Sequence, residues 1–259
     1  MSEYLKITLQ VPESRSMWPG AGRSLLGQAI EESEPDVGDE LLTMAHRHRR
    51  KDGRVISNNG PSPFHIFCPT RQKMVVIATG DAAAAFLAKN VHHLVMWLSK
   101  KTQASAKMDW QGGRMSVRQS NSPVSYTASW LAMKNIPSKA VAGMSREAIE
   151  TDMAQKNQAG QHDKIDPGLV ASVIHRGITS RADCLGLDLD ESDLAVEVVS
   201  NGVPVTRYWK HKHAYPILDQ VQFQTNVRLD GPWFIGACAS KGWGRVVRCN
   251  LARADAEAA

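Results

Sequence analysis

The sequence predicts an α+β protein whose strands form antiparallel sheet. Apolar and polar residues alternate at 4–11 and again at 220–229, and each pattern is typical of a half-buried strand. Between these two segments, leucine and valine residues recur at helical spacing and share one face: Leu87, Val91, Leu94 and Leu98. Strands near the two ends with helices between them favour the α+β class.

The composition indicates a core-forming protein of a reducing compartment. Hydrophobic residues make up 42% of the 259 residues, which is enough for one large domain or two small ones. The four cysteines lie far apart and form no CxxC pair: Cys68, Cys184, Cys238 and Cys249. The N-terminus lacks the basic start and apolar core of a signal peptide, and charged side chains interrupt the most apolar long segment, 81–101. We therefore expect a cytoplasmic protein without a membrane span.

Turn residues and periodicity place the remaining elements. Strands are predicted at short apolar or alternating runs: 61–68, 74–78, 194–200, 203–209 and 233–239. Helices are predicted to begin near Arg23, Gly38 and Asp81, with the Asp81 carboxylate as the cap of the third. Glycine-containing turns at 112–113 and 200–202 are predicted to close two hairpins.

A second helical region is predicted in the middle of the chain. One helix covers 145–157 and another covers 166–176, with a polar linker between them. The second has Asp166 as N-cap, Pro167 at its first helical position and Gly177 as its stop. The region is interpreted either as a small finger that grips a ligand or as helices that pack on the sheet.

Positive charge concentrates at 46–54, which reads HRHRRKDGR and contains a single acid. With a net charge of +5 for the chain, this cluster suits a polyanionic partner, although a solvated loop is the simpler alternative. Arginine forks match phosphate geometry, and histidines titrate near neutral pH. We predict nucleic-acid contact through the cations Arg47, Arg49, Arg50 and Lys51. The HxH spacing has no Asp, Glu or Cys partner at ligand spacing, so neither a metal nor a cofactor is predicted.

A glycine-rich loop follows the strand 220–229 and the apolar run after it. It reads SKGWGR at 240–245 and combines two glycines with an aromatic residue and two cations. Glycines allow a backbone to approach a ligand, and successive N–H groups in such a loop bind anions. The predicted ligand is a phosphate backbone and a plain tight turn is the alternative; the predicted contacts are Lys241, Gly242, Gly244 and Arg248.

Aromatic residues alternate with cations at 208–215, which reads YWKHKHAY. Such a pattern stacks bases while it holds the backbone of a nucleic acid. We predict contacts from Lys210 and Lys212; the alternative is an amphipathic strand end with Trp209 buried.

The GPWFIGA run and the SKGWGRV loop resemble the C-terminal glycine-rich signature of the RAMP proteins of CRISPR systems. Within that superfamily the chain most resembles the endoribonucleases that cleave CRISPR repeats, in particular those of type IV systems. The resemblance implies a ferredoxin-like RAMP core with an added helical finger. It divides the chain into an N-terminal RAMP part at 1–140, a helical insertion at 141–180 and a C-terminal RAMP part at 181–259.

The resemblance also implies a chemistry. RAMP processing nucleases act without metal, through attack of a ribose 2′-hydroxyl on the adjacent phosphorus. The segment after the first strand carries an active-site residue in this family, and here it holds Arg23 where many relatives hold a histidine. We therefore expect Arg23 to act with Arg245 and with a proton-transfer histidine, His46 or His48; a purely arginine-based site is the alternative.

The partners implied are precursor crRNA, the mature crRNA that is retained, and other subunits of a CRISPR effector complex. Two further interpretations stay open at this point. The first is a non-catalytic RAMP scaffold subunit that holds guide RNA, and the second is an unrelated basic α+β protein that binds no nucleic acid.

Overall fold

The computed structural model describes residues 1–10, 22–33, 39–57, 62–103, 105–133, 165–209 and 213–249. They form two compact units. The first comprises Met1–Met115 with Ala239–Gly242, and the second comprises Ser116–Cys238 with Trp243–Ala259. All strand pairs between the described residues are antiparallel, so the predicted α+β class with antiparallel sheet is confirmed.

The first unit has the ferredoxin-like βαββαβ order, with a small insertion after its first helix. In chain order its elements are β1 (Ser2–Gln10), α1 (Gly22–Ser33), α2 (Asp39–Met44), β2 (Arg47–Arg49), β3 (Val55–Ser57), β4 (Phe64–Thr70), β5 (Lys73–Thr79), α3 (Asp81–Thr102) and the first part of β6 (Lys107–Ser129). The sheet order is β6-β1-β5-β4, and β2 pairs with β3 in a separate two-stranded sheet. The βαββαβ order and this strand order together define the ferredoxin-like arrangement that the family resemblance implied.

Helices α1 and α3 cover one face of this sheet and enclose its core. Leu5, Ile7 and Leu9 of β1 are buried, as the alternation predicted, and α3 contributes Leu87, Leu94 and Leu98 from its apolar face. Alternate residues of a strand point to opposite faces, so β4 directs Phe64, Ile66 and Cys68 into this core and its other side chains away from it.

The predicted cap of α3 is wrong. Gly80 is the N-cap residue and forms no side-chain hydrogen bond, while Asp81 is already helical. The Asp81 carboxylate instead accepts hydrogen bonds from the Glu3 amide at 2.7 Å and the Ser2 hydroxyl at 3.3 Å. It therefore ties the start of α3 to the start of β1, a long-range contact that local sequence does not encode.

The predicted hairpin at 112–113 is also wrong, because β6 runs without reversal over 23 residues. Gly113 pairs with Tyr4 of β1, and a Cβ on Gly113 would lie 2.7 Å from Tyr4 Cε1. The glycine makes room for a tyrosine ring within an extended strand.

The second unit contains the remainder of β6 and all later strands. Its further elements are β7 (Leu131–Ala132), α4 (Pro167–Cys184), a 3₁₀ turn (Glu191–Asp193), β8 (Val196–Ser200), β9 (Val203–Trp209), β10 (His213–Asp219), β11 (Val221–Asp230), β12 (Trp233–Phe234) and β13 (Arg245–Arg248). One sheet has the order β8-β11-β6-β13-β12 and the other the order β7-β10-β9. Tyr126 of β6 stacks on Phe223 of β11 at 5.5 Å between ring centroids, in the core of the larger sheet.

The predicted turn at 200–202 does not form a hairpin. Strand β8 pairs with β11, whereas β9 pairs with β10, so the turn leads from one sheet to the other. The strand predicted at 233–239 is shorter than expected, since β12 ends at Phe234.

The predicted start of α4 is confirmed and its predicted end is wrong. Asp166 is the N-cap and accepts a hydrogen bond from the Gly168 amide at 2.9 Å. The helix continues through Gly177 to Cys184. A Cβ on Gly177 would lie 2.8 Å from Ile235 Cβ, so this glycine permits close packing and does not stop the helix.

The preceding part of the predicted insertion, 141–164, lies outside the described residues. Within the described ranges, no helix has the length and apolarity needed to cross a membrane.

Candidate functional site

The start of α1 fixes Arg23 in the first unit. Gly22 packs directly on the backbone of β4, where a Cβ on Gly22 would lie 2.9 Å from Phe67 Cα. Only glycine fits at such an approach. Arg23, the next residue, is half-buried, and its Nη1 donates a hydrogen bond to Ser240 Oγ at 2.9 Å. The guanidinium predicted to take part in catalysis is therefore held by the first residue of the SKGWGR loop.

The first part of that loop belongs to the same unit and forms a 3₁₀ turn, Ala239–Lys241. The Gly242 amide closes the turn by donating to the Ala239 carbonyl at 2.8 Å. Gly242 has φ 76°, and a Cβ there would lie 2.3 Å from Phe67 Cδ1. The fold therefore requires glycine at 242 whatever the loop binds. The Lys241 side chain is only 4% exposed, and phosphate contact at these two residues stays a prediction.

Sequence reasoning missed His65, which lies on β4 against this turn. The His65 side chain is fully buried, and its Nδ1 lies 2.8 Å from the Ala239 carbonyl oxygen. The available signal was a histidine inside the apolar run PFHIFC, at a position that alternates with the core residues Phe64 and Ile66.

Cys68 of the same strand faces the core. Burial raises the pKa of the Cys68 thiol to about 12, so the thiol stays protonated near neutral pH and is not a nucleophile.

The basic segment forms a hairpin in the first unit, with β2 and β3 as its strands. Arg47 makes an ion pair with Glu31 of α1, so this predicted RNA contact is engaged within the protein. His46 is only 7% exposed, whereas His48 is exposed on β2. Arg50 and Lys51 are exposed at the tip, and the Arg49 side chain lies outside what the structure describes.

The remaining predicted site residues lie in the second unit or outside the described ranges. Arg245 and Arg248 are exposed on β13, which pairs with β6. Gly244 has φ 67°, and its amide donates to the Trp130 carbonyl at 3.0 Å. Lys210 and Lys212 fall in a segment that the structure does not describe. No group of three or more His, Cys, Asp or Glu side chains that could share a metal ion occurs among the described residues.

We expect Gly244→Ala to destabilise the protein strongly. A Cβ at 244 would lie 1.7 Å from the Ile235 carbonyl oxygen, and φ is positive as well. Strain and overpacking together should lower the free energy of unfolding by about 3 kcal/mol. Gly186→Ala is the matched control, since Gly186 has φ 59° with no atom within 4 Å of the added Cβ, and it should cost about 1 kcal/mol. Equal losses in urea denaturation would show that the contact with Ile235 does not matter.

Comparisons with known proteins agree with this architecture. A family model described as type IV CRISPR-associated endonuclease Csf5 matches residues 3–250. A solved structure described as Csf5, a CRISPR-Cas type IV Cas6 crRNA endonuclease, is similar with a TM-score of 0.60 and 14% identity, covering 96% of this chain and 100% of the other. A Cas6b crystal structure has a TM-score of 0.58 and 17% identity, with 95% and 99% covered. A further structure, of the CRISPR RNA processing endoribonuclease Cas6b, has a TM-score of 0.52 and 14% identity, with 95% and 100% covered.

At these identities the solved structures establish a shared fold, while the family model covers nearly the whole sequence. No curated protein sequence matches the chain. The resemblance first seen in GPWFIGA and SKGWGRV is confirmed. The chain belongs to the family of the type IV CRISPR-associated endonuclease Csf5.

Proposed function

We propose that this protein cleaves precursor crRNA at the hairpin of each repeat, without a metal ion, and keeps the mature crRNA bound as a subunit of an effector complex. Membership of an endonuclease family supports the reaction class. The single observation that carries the assignment of the site is the contact between Arg23 and Ser240, which holds a guanidinium at the glycine-rich loop.

The proposed reaction is a transesterification within the RNA. The 2′-oxygen forms a bond to the adjacent phosphorus as the bond from phosphorus to the 5′-oxygen breaks. The proton of the 2′-hydroxyl passes to a base, and a proton is delivered to the departing 5′-oxygen. The products are a 2′,3′-cyclic phosphate and a 5′-hydroxyl, so neither water nor an external oxidant or reductant is consumed.

Arginine suits the stabilisation of charge in this reaction. The guanidinium stays protonated at any physiological pH, and its planar fork matches the oxygens of a phosphate. Charge on those oxygens grows in the phosphorane-like transition state, where a preoriented cation contributes most. The hydrogen bond to Ser240 restricts the Arg23 side chain before RNA arrives, which lowers the entropy lost on binding. Arg245 is assigned a phosphate contact in the second unit on the strength of the family resemblance and its exposure.

The proton-transfer step is assigned to His48 in preference to His46. A general acid or base has to come within hydrogen-bond distance of the substrate. His48 is exposed, whereas His46 is buried two residues after the end of α2, in a left-handed conformation with φ 59°. We therefore propose a structural role for His46 and a chemical role for His48.

We expect the tip of the basic hairpin to contribute to RNA affinity through charge. If Arg50 and Lys51 each neutralise one phosphate, replacing both with alanine should reduce the slope of log affinity against log salt by about 1.4, since each single-strand phosphate contributes about 0.7. Fluorescence anisotropy with repeat RNA over a salt series measures this slope.

The matched control for charge is the pair Lys89 and Lys100, which are exposed on α3. Replacing both with alanine removes the same charge from a different element, and the slope should stay at the wild-type value. Identical slopes for the hairpin variant and the wild type would remove the hairpin from the binding surface.

Purified protein incubated with a labelled repeat RNA in EDTA tests the proposal. Cleavage at one position in the repeat, with the product retained on the protein, is the expected result. RNA that is bound but stays intact would support a non-catalytic scaffold subunit instead. Neither binding nor cleavage would overturn the proposal altogether.

A further inference from the structure

We propose that His65 is a positioning residue for RNA cleavage. It holds the turn Ala239–Lys241, and Ser240 within this turn holds Arg23. The catalytic part of this inference rests on the proposed function. Its structural part rests on two contacts within the first unit, from His65 Nδ1 to the Ala239 carbonyl at 2.8 Å and from Arg23 Nη1 to Ser240 Oγ at 2.9 Å.

The first contact requires a proton on one particular ring nitrogen of His65. A backbone carbonyl only accepts hydrogen bonds, so Nδ1 of His65 must carry a proton. Both the Nδ1–H neutral tautomer and the imidazolium satisfy this requirement. Either form therefore donates the hydrogen bond that holds the turn.

Strand β4 holds the turn at both of its ends. His65 binds the carbonyl of Ala239, and Phe67, two residues further along, lies against Gly242. Side chains two apart on a strand are separated by about 6.6 Å. Residues three apart in a 3₁₀ turn are separated by about 6 Å along its axis. The two spacings match, so this face of β4 acts as a template for the turn.

The turn connects His65 to Arg23, the arginine proposed to act in catalysis. The Ala239 carbonyl accepts from both His65 Nδ1 and the Gly242 amide, each at 2.8 Å, and its two lone pairs allow both bonds. Ser240 lies between these anchors and fixes Arg23. Without the His65 side chain, the Ala239 carbonyl would lose one of its two hydrogen bonds. The turn would then be able to shift. A displacement of 1 Å at a reacting group can lower a rate by about a hundredfold.

Asparagine and glutamine at position 65 provide the sharpest test. The Asn amide nitrogen stands one bond from Cγ, as Nδ1 of histidine does, whereas the Gln amide nitrogen stands one bond further out. His65→Asn should keep the contact and retain a single-turnover cleavage rate close to that of the wild type. His65→Gln and His65→Leu should lower this rate by tenfold or more, on the order of the effect of misplacing a catalytic group, with little change in RNA affinity.

Two controls separate positioning from stability and from proton transfer. Thr79→Val removes a comparable buried hydrogen bond in the same sheet, from the Thr79 hydroxyl to the Pro63 carbonyl at 3.0 Å, and should leave the cleavage rate at the wild-type value. The pH–rate profile of His65→Asn should have the wild-type shape. If His65→Asn is as slow as His65→Leu and its profile is flat, His65 itself transfers a proton and the positioning role is overturned.

Hydrogen exchange at the Gly242 amide tests the structural part without any RNA. Exchange should become faster in His65→Gln and stay slow in His65→Asn. Equal exchange in all variants, or wild-type cleavage by His65→Leu, would overturn the inference. A wild-type protein that cuts no repeat RNA would overturn the proposed function and the catalytic part of this inference, while the exchange result would still decide whether His65 holds the turn.

Discussion

Arg23→Ala should lower the single-turnover rate of repeat cleavage by about a hundredfold, which corresponds to about 3 kcal/mol of transition-state stabilisation. The reason is that the guanidinium meets its largest partner charge only as the phosphorane forms, so its loss weakens the transition state more than the bound RNA. RNA affinity should therefore fall much less than the rate. Single-turnover kinetics with protein in excess, together with binding in anisotropy, separate the two effects.

A matched arginine controls for loss of charge alone. Arg114 is exposed on the first part of β6, in the same unit as Arg23, and Arg114→Ala should cleave at nearly the wild-type rate. Ser240→Ala removes the hydrogen bond that holds Arg23 without removing the cation, so it should give a smaller loss than Arg23→Ala. Wild-type cleavage by Arg23→Ala would mean that the active site lies elsewhere, and the scaffold interpretation would gain.

His48→Ala should lower the cleavage rate by about a hundredfold or more and flatten its dependence on pH. Proton transfer by a positioned side chain contributes typically this much, and histidine alone titrates near neutral pH without perturbation. The rate of each variant should be followed over the pH range in which the wild-type rate changes, under single-turnover conditions.

The comparison with His46→Ala makes this prediction specific. His46 is buried, so its replacement should lower the free energy of unfolding while the folded fraction keeps a pH-dependent rate. If neither histidine variant flattens the profile and Arg23→Ala still lowers the cleavage rate by about a hundredfold, the site is arginine-based. If His46→Ala flattens the profile and His48→Ala does not, the roles proposed for the two histidines are reversed.

The spacing of apolar residues predicted most of the elements that could be predicted from the sequence. The period of two placed Leu5, Ile7 and Leu9 on the buried face of β1, and the helical period placed Leu87, Leu94 and Leu98 in the core. Both patterns report directly on burial, because one face of each element excludes water. For the same reason the α+β class followed from the sequence, and the βαββαβ order was reached through the family resemblance.

Glycine misled the predictions wherever its role is long-range packing. The sequence predicts a turn at Gly113 and a helix stop at Gly177, yet both glycines give space to distant side chains, those of Tyr4 and Ile235. The sequence around a glycine does not encode which distant side chain packs against its backbone. Gly242 and Gly244 combine both roles of glycine. Each adopts positive φ, and at each an added Cβ would clash with neighbouring atoms.

The candidate site was predictable only in part for a related reason. Arg23 and the SKGWGR loop stood out in the sequence, but the bond between Arg23 and Ser240 joins residues 217 positions apart. The signal for His65 was a single histidine within an apolar run, and its partner is a backbone carbonyl, which no side-chain pattern marks. Arg47 adds a contact that the sequence did not predict, since the structure pairs it with Glu31 while its RNA contact stays a prediction.

A repeat RNA with a single 2′-deoxynucleotide at the mapped cleavage position tests the central claim most directly. Transesterification requires the 2′-oxygen as nucleophile. The protein should therefore bind this RNA with nearly the same affinity as the all-ribose RNA and leave it intact in EDTA. The all-ribose RNA should be cut to a 2′,3′-cyclic phosphate under the same conditions. Cleavage of the 2′-deoxy RNA at the same position would contradict the proposed mechanism, because the attacking oxygen would have to come from water.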